Sequence, residues 1–307
     1  MGALAVRIRI PYVIDVIFVS DPEQIKRIEA SGDVDRLHRY ATAALPWWVR
    51  FYFGATRFHD AARDLWFLAL EPASDPGYER RRAYLSERVA TRYTRADVDK
   101  VARLLQARTD DEELAYELAQ VVDRRFVGEE IPRSITTEAR RTLQTFGEAL
   151  LPWKYVRARR AQRDVTDYCA HAGAGGGGGD GHVVDVAHNI GTVAKTLTRA
   201  LRMVAADLET PVERLFTAHP LTLEAPRIAV RSSRLGGLLR SSMRPGWTVV
   251  IFKIGAAATE TRDLFFTFGS GGPGRACVFM DFFLAFAADV QGALRGMQSA
   301  RPPEPSR

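Results

Sequence analysis

Val13-Ile-Asp-Val-Ile-Phe-Val19 is apolar at every position but one, which predicts a buried strand. Ser20-Asp21-Pro22-Glu23 follows and predicts a helix start, with Asp21 as N-cap and Pro22 in the first turn. From Tyr78 to about Phe126 the apolar positions recur with helical spacing: one helix starts at Glu79-Arg-Arg-Arg-Ala-Tyr-Leu, and a second, strongly periodic segment spans Leu114 to Phe126. Gly128-Glu-Glu-Ile-Pro132 closes it. Thr137 to Arg163 predicts one or two more helices, broken at Leu151-Pro152, with an exposed arginine face at Arg157, Arg159, Arg160 and Arg163. Val183 to about Leu208 reads as a long helix. Short strands are expected at Ile228 to Val230 and at Trp247 to Phe252, the second entered through the turn Arg244-Pro245-Gly246. The last helix is expected from about Met280 to Gly296. These elements describe a mainly α protein with a small β-sheet.

The chain has 307 residues, enough for a sizeable core. The expected organisation is a single domain over residues 1–300, with a flexible Gly-rich linker at 173–181 and a disordered, proline-containing tail at 301–307. The linker is no phosphate loop, since no Lys-Ser or Lys-Thr follows it. The net charge is +6, carried almost wholly by arginine; lysine occurs only at positions 26, 100, 154, 195 and 253. An arginine-biased coding sequence accounts for this, and a basic face that docks an acidic partner is the alternative. The arginines are scattered, without zinc-finger spacing or basic-region heptads, so nucleic acid is not an expected partner. No apolar run reaches the roughly 18 residues of a membrane span, and Arg7 and Arg9 interrupt any signal-like start. The expectation is a cytoplasmic protein without a membrane partner, whose two cysteines, Cys169 and Cys277, stay reduced.

Phe266-Thr-Phe268-Gly-Ser-Gly271-Gly-Pro-Gly-Arg275-Ala-Cys277 then concentrates the candidate chemistry. It places a cysteine at the mouth of a Gly-rich loop just ahead of a helix, where amide N–H groups and the helix dipole favour thiolate. Such a thiolate is how a protein ligates haem iron; a small buried hydrophobe is the other reading of a lone cysteine.

This segment resembles the cysteine loop of the cytochrome P450 superfamily: a Phe, Gly-rich turns, Arg275 two residues before the Cys, then a helix. Three departures stand out. Phe268 lies nine positions ahead of Cys277, farther than the family spacing. Phe279 stands where the family has glycine, and Arg214 and Thr217 stand where it has a Glu-x-x-Arg pair. His188-Asn-Ile-Gly191-Thr192 to Leu197, Ala200 and Leu201 resembles the family's distal helix, with Thr192 on the proton-delivering threonine, Gly191 in place of the neighbouring acid and Asn189 in place of the kink glycine. A shifted register puts Val193 and Ala194 there instead, and a helix threonine bonding back to a carbonyl is the plain alternative for Thr192. The resemblance implies that Arg227 pairs with a haem propionate, the alternative being a surface strand arginine, and that Tyr78 and Arg82 hold the other propionate. The chain is shorter than typical members, with losses between Pro211 and His219 and between Ala258 and Phe266.

The resemblance therefore implies a reduced cytochrome P450-like fold that carries haem b. Cys277 would be the iron ligand, Tyr78, Arg82, Arg227, Phe268, Gly271 and Arg275 would surround the cofactor, and Thr192 and Gly191 would lie on the catalytic side. The implied activity is monooxygenation or related haem chemistry on a small-molecule, secondary-metabolite substrate. An acidic ferredoxin-type electron donor is the implied partner. A haem-less P450-like auxiliary protein that activates a partner enzyme is the second reading. Trp47, Trp48, Phe51 and Phe53 are candidates for lining the pocket, or else for the core.

Overall fold

The computed structural model describes residues 5–10, 14–35, 59–60, 65–66, 77–90, 93–142, 151–172, 182–222, 225–267 and 277–300. The linker 173–181, the tail 301–307, Phe268, Gly271, Arg275 and the aromatics Trp47, Trp48, Phe51 and Phe53 lie outside them.

Among the described residues the sheet has five strands, ordered β1 (Ala5–Ile10), β2 (Ile14–Val19), β7 (Thr248–Phe252), β6 (Ala225–Ala229) and β3 (Val34–Asp35). β2 and β7 run parallel; the other pairs are antiparallel. A two-residue pair, β4 (His59–Asp60) and β5 (Leu65–Trp66), stands apart. β1 carried no strand signal in the sequence, because arginines alternate with its apolar residues. The alternation itself is that of an edge strand: Arg7 reaches inward to the buried Asp15 at 2.7 Å, while Val6, Ile8 and Ile10 stay exposed. Helix α1 (Pro22–Ser31) begins as expected, with Asp21 accepting from the Gln24 amide at 2.7 Å, and ends at Gly32 with φ of 69°.

The sheet's two faces pack against different helices. Ile17, Val19, Val250, Phe252, Ala225 and Ala229 meet α1, α11 (Ile254–Thr261) and Phe266 of the short α12 (Leu264–Thr267). Val16, Val249 and Ile228 face a larger cluster built from α2 (Tyr78–Ala90), α6 (Arg133–Thr142), α7 (Pro152–His171) and α8 (His182–Thr192). A third cluster joins α3 (Arg95–Gln106), α4 (Asp111–Val122), α9 (Thr198–Ala206), α10 (Val212–Ala218) and α13 (Met280–Ser299). The remaining helix, α5 (Arg124–Val127), is a single turn ended by Gly128 at φ of 85°. α7 runs beyond the Arg163 limit of its arginine face to His171, because Ala161, Val165 and Cys169 continue its buried stripe.

The expected long helix over 183–208 is present from 182 to 206, with a π-turn at Val193–Leu197 between α8 and α9. The Thr198 amide bonds to Val193 O, five residues back, and its hydroxyl lies 3.4 Å from the same oxygen. The side chains of α8 belong to the sheet-side cluster and those of the π-turn and α9 to the third, so the turn sits at the seam of two cores. α8 is tied to α2 by a buried, two-pronged ion pair, Arg81 to Asp185 at 2.8 and 2.9 Å. Beside it His182 stacks on Tyr84 at 3.6 Å.

Arg81→Leu strands the Asp185 charge and is expected to cost about 3–5 kcal/mol in urea unfolding, whereas Arg81→Leu with Asp185→Leu recovers most of the loss. His182 is 3% exposed, and burial together with Arg81, Arg80 and Arg88 lowers its pKa from 6.5 to about 4. The unfolded chain therefore takes up a proton on this residue before the folded protein does. Stability from keeping it neutral is complete above pH 6.5 and is lost as the pH falls toward 4. His182→Phe keeps the stack on Tyr84 and is expected to flatten the loss of melting temperature across that window.

Candidate functional site

Cys277 enters α13 through a turn in which the Met280 amide bonds to Cys277 O at 3.1 Å. Of the two cysteines, Cys169 is buried in α7 and Cys277 is reached by solvent. Yet protein surrounds the Cys277 thiol closely enough for desolvation to be the largest influence on its pKa. Burial raises the pKa above 9.0, while the Phe279 amide, which donates to the sulfur, and the Arg82 guanidinium pull it down. The expectation of a thiolate favoured by its surroundings is corrected: without a bound cation, the cost of burying the charge exceeds what one amide and one arginine return.

Phe279 does not obstruct the thiol by sequence alone. Its ring lies 6.1 Å from that of Phe126 and packs against both helical clusters. Tyr78 is buried in the sheet-side cluster one turn before Arg82, on a helix anchored by Tyr78 and Leu85. Arg82 is near enough for its charge to act on the Cys277 thiol. Arg227 is placed elsewhere: it shares the α1 face of the sheet with Ala225 and Ala229, pairs with Glu29 at 2.5 Å, and lies over the Phe252 ring. In α10, where the family's Glu-x-x-Arg pair would stand, Thr217 Oγ1 donates to Arg214 O at 3.1 Å.

On α8, Thr192 Oγ1 donates to His188 O at 3.0 Å, so the plain alternative for this threonine is realised in the resting structure. Val183 to Ala187, Asn189 to Gly191, Val193 and Ala194 are all buried; His188 and Thr192 are half-buried. Solvent therefore reaches this stretch only along one strip, a single turn long. Gly191 brings no functional group to it. A buried acid does reach α8, but from elsewhere: Asp123, after α4, accepts from Asn189 Nδ2, and burial raises its pKa well above 3.8. Neither Asp123 nor the Arg81–Asp185 pair was found in the sequence. Partners 66 and 104 residues apart leave no local spacing to read.

Among the described residues no group of three or more His, Cys, Asp or Glu side chains could hold a bare metal ion, and no helix is long and apolar enough to cross a membrane.

Solved structures decide what this arrangement resembles. A cytochrome P450 of the bacillaene polyketide synthase from Bacillus subtilis superposes with a TM-score of 0.65 at 12% identity, over 97% of this chain and 86% of that one. The fold is that of the cytochromes P450. A six-coordinated P450 from Thermus thermophilus gives 0.62 at 15% identity, over 94% and 86% of the two chains. A cyanobacterial P450 with retinoic acid bound gives 0.64 at 12%, over 96% and 84%. No protein-family model matches the sequence, and neither does any curated protein. The P450 order of elements thus survives in a chain whose sequence has diverged widely.

The difference in exposure between the two cysteines makes a direct prediction. A small alkylating reagent at neutral pH is expected to modify Cys277 and spare Cys169 in the folded protein, with both reacting in denaturant, as peptide mass spectrometry would record.

Proposed function

We propose that this protein is a haem-thiolate P450-like oxidoreductase acting on a small organic, secondary-metabolite substrate, with Cys277 as the axial ligand. One observation carries the reading: the Cys277 thiol is reached by solvent, and the Phe279 amide and the Arg82 charge both act on it. The donor set fits the group. A lone thiol cannot hold bare iron, but it suffices for iron that arrives in a porphyrin, which fills four positions itself. Bound there, thiolate-ligated haem supplies electron-rich iron for oxygenation or related redox chemistry.

The chain's own residues then have separable tasks. The Phe279 amide stabilises negative charge on sulfur. Arg82 offers a guanidinium fork to a propionate, and Arg275 is proposed to do the same from the loop. Thr192 holds a hydroxyl on the only solvent-reached strip of α8. With glycine at 191, no carboxylate on that turn passes it a proton, which favours chemistry with a small proton demand, such as peroxide use, isomerisation or dehydration. An acidic ferredoxin-type donor would suit the basic balance of the chain.

Arg227 favours the second reading, a haem-less auxiliary protein bound to a partner enzyme. The arginine that the resemblance assigns to a propionate is paired with Glu29 on the far face of the sheet. The test is the absorption spectrum of the haem-supplemented protein, reduced under carbon monoxide, beside Cys277→Ala. A strongly red-shifted Soret band, lost in the variant, is expected. A folded protein with no haem band leaves the auxiliary reading.

A further inference from the structure

The outward face of α7 has no part in the proposed chemistry. The helix buries Ala158, Ala161, Val165 and Cys169, and its opposite side is exposed at positions 153, 156, 160, 163, 167 and 171, which recur at helical spacing. That side opens on an apolar pair one turn long, Trp153 and Val156, 67% and 64% exposed. Its charges are then sorted by sign along the axis: Arg157, Arg160 and Arg163 come first, Asp164 and Asp167 after them. The helix itself gains little from this order. Arg160 and Arg163 reach Asp164 only at 3.9 Å, from side chains 78% and 72% exposed. In the first of these pairs the arginine precedes the acid by four residues, the weaker of the two orders.

We propose that this face binds a second copy of the chain, α7 against α7, antiparallel about a twofold axis at the level of Gln162. A face whose cationic half precedes its anionic half is complementary to itself once one copy is reversed, and a twofold axis performs that reversal. Positions equally distant from 162 then meet. Arg157 faces the partner's Asp167, Arg160 faces the partner's Asp164, and Trp153 faces the partner's His171; symmetry makes each contact twice. A parallel pair would set arginine against arginine. An acidic partner protein or an anionic lipid surface would attract the arginines but be opposed by Asp164 and Asp167 on the same face, so the charge pattern favours a second copy over either. Trp153 and the arginines are residue types that carry much of the energy where proteins meet. The inference is independent of the haem-thiolate reading, since no residue of this face takes part in it.

Sedimentation equilibrium of the full chain, from nanomolar to high micromolar concentration, tests it. The mass of one chain is expected at the low end and that of two at the high end. Trp153→Ser is expected to weaken the dimer about tenfold or more. Two charge-reversed proteins decide the geometry. Arg157→Glu with Arg160→Glu sets acid against acid across the axis, and Asp164→Lys with Asp167→Lys sets base against base, so each alone is expected to be a monomer. Mixed together they are expected to form a one-to-one dimer, because every opposed pair is then of opposite sign. A mixture that stays monomeric, or a dimer indifferent to all three variants, overturns the proposal. So does a wild-type chain that remains a monomer throughout; if that monomer sediments with phosphatidylglycerol vesicles, the face belongs to a lipid surface instead. Melting curves of the variants separate lost pairing from misfolding, and Trp153→Ser tests the face by itself if a charge-reversed protein does not fold.

Discussion

The structure is organised by a central helix whose first half has almost no outward face. From His182 to Ala206 the chain runs through two apolar clusters in succession, and from His182 to Ala194 every residue but His188 and Thr192 is buried. A helix stretch buried on nearly every side must hand its polar groups to specific partners, since water does not reach them. Asp185 is given to Arg81 and Asn189 to Asp123, while the Thr198 hydroxyl shares the Val193 carbonyl with its own amide inside the π-turn. The first two bonds fix the helix against different neighbours. Together they hold its rotation, and rotation decides that His188 and Thr192 are the half-buried pair on α8.

The π-turn follows from the same constraint. A regular helix carries one stripe pattern throughout, but here the stripe must serve the sheet-side cluster first and the α13-side cluster next. One extra residue in a turn rotates everything downstream by about a third of a revolution. Leu197, Ala200, Leu201 and Val204 can then fill the second core without disturbing the first. The candidate threonine, Thr192, immediately precedes this seam.

Cys277 shows how two demands compete. Solvent reaches the residue, while desolvation by the surrounding protein keeps the sulfur a thiol. One amide and Arg82 are too few to offset that desolvation. Arg227 is held on the α1 face of the sheet, where Glu29 of α1 pairs with its guanidinium.

Much of the fold could be read locally. The buried strand β2, the Asp21 cap of α1, the turn at Gly246, the long central helix and the closing helix follow from apolar period and cap chemistry, which act over a few residues. Candidates such as Cys277, Arg82 and Thr192 were equally visible, because residue type and order along the chain mark them. The edge strand β1 was hidden by its alternating arginines, and Asp185, Asp123 and Glu29 became partners of Arg81, Asn189 and Arg227 only across the folded chain. Which arginine acts on the cysteine, and which is paired away on the sheet, depends on helix rotation and strand face. Those are set by long-range packing, which local spacing does not encode.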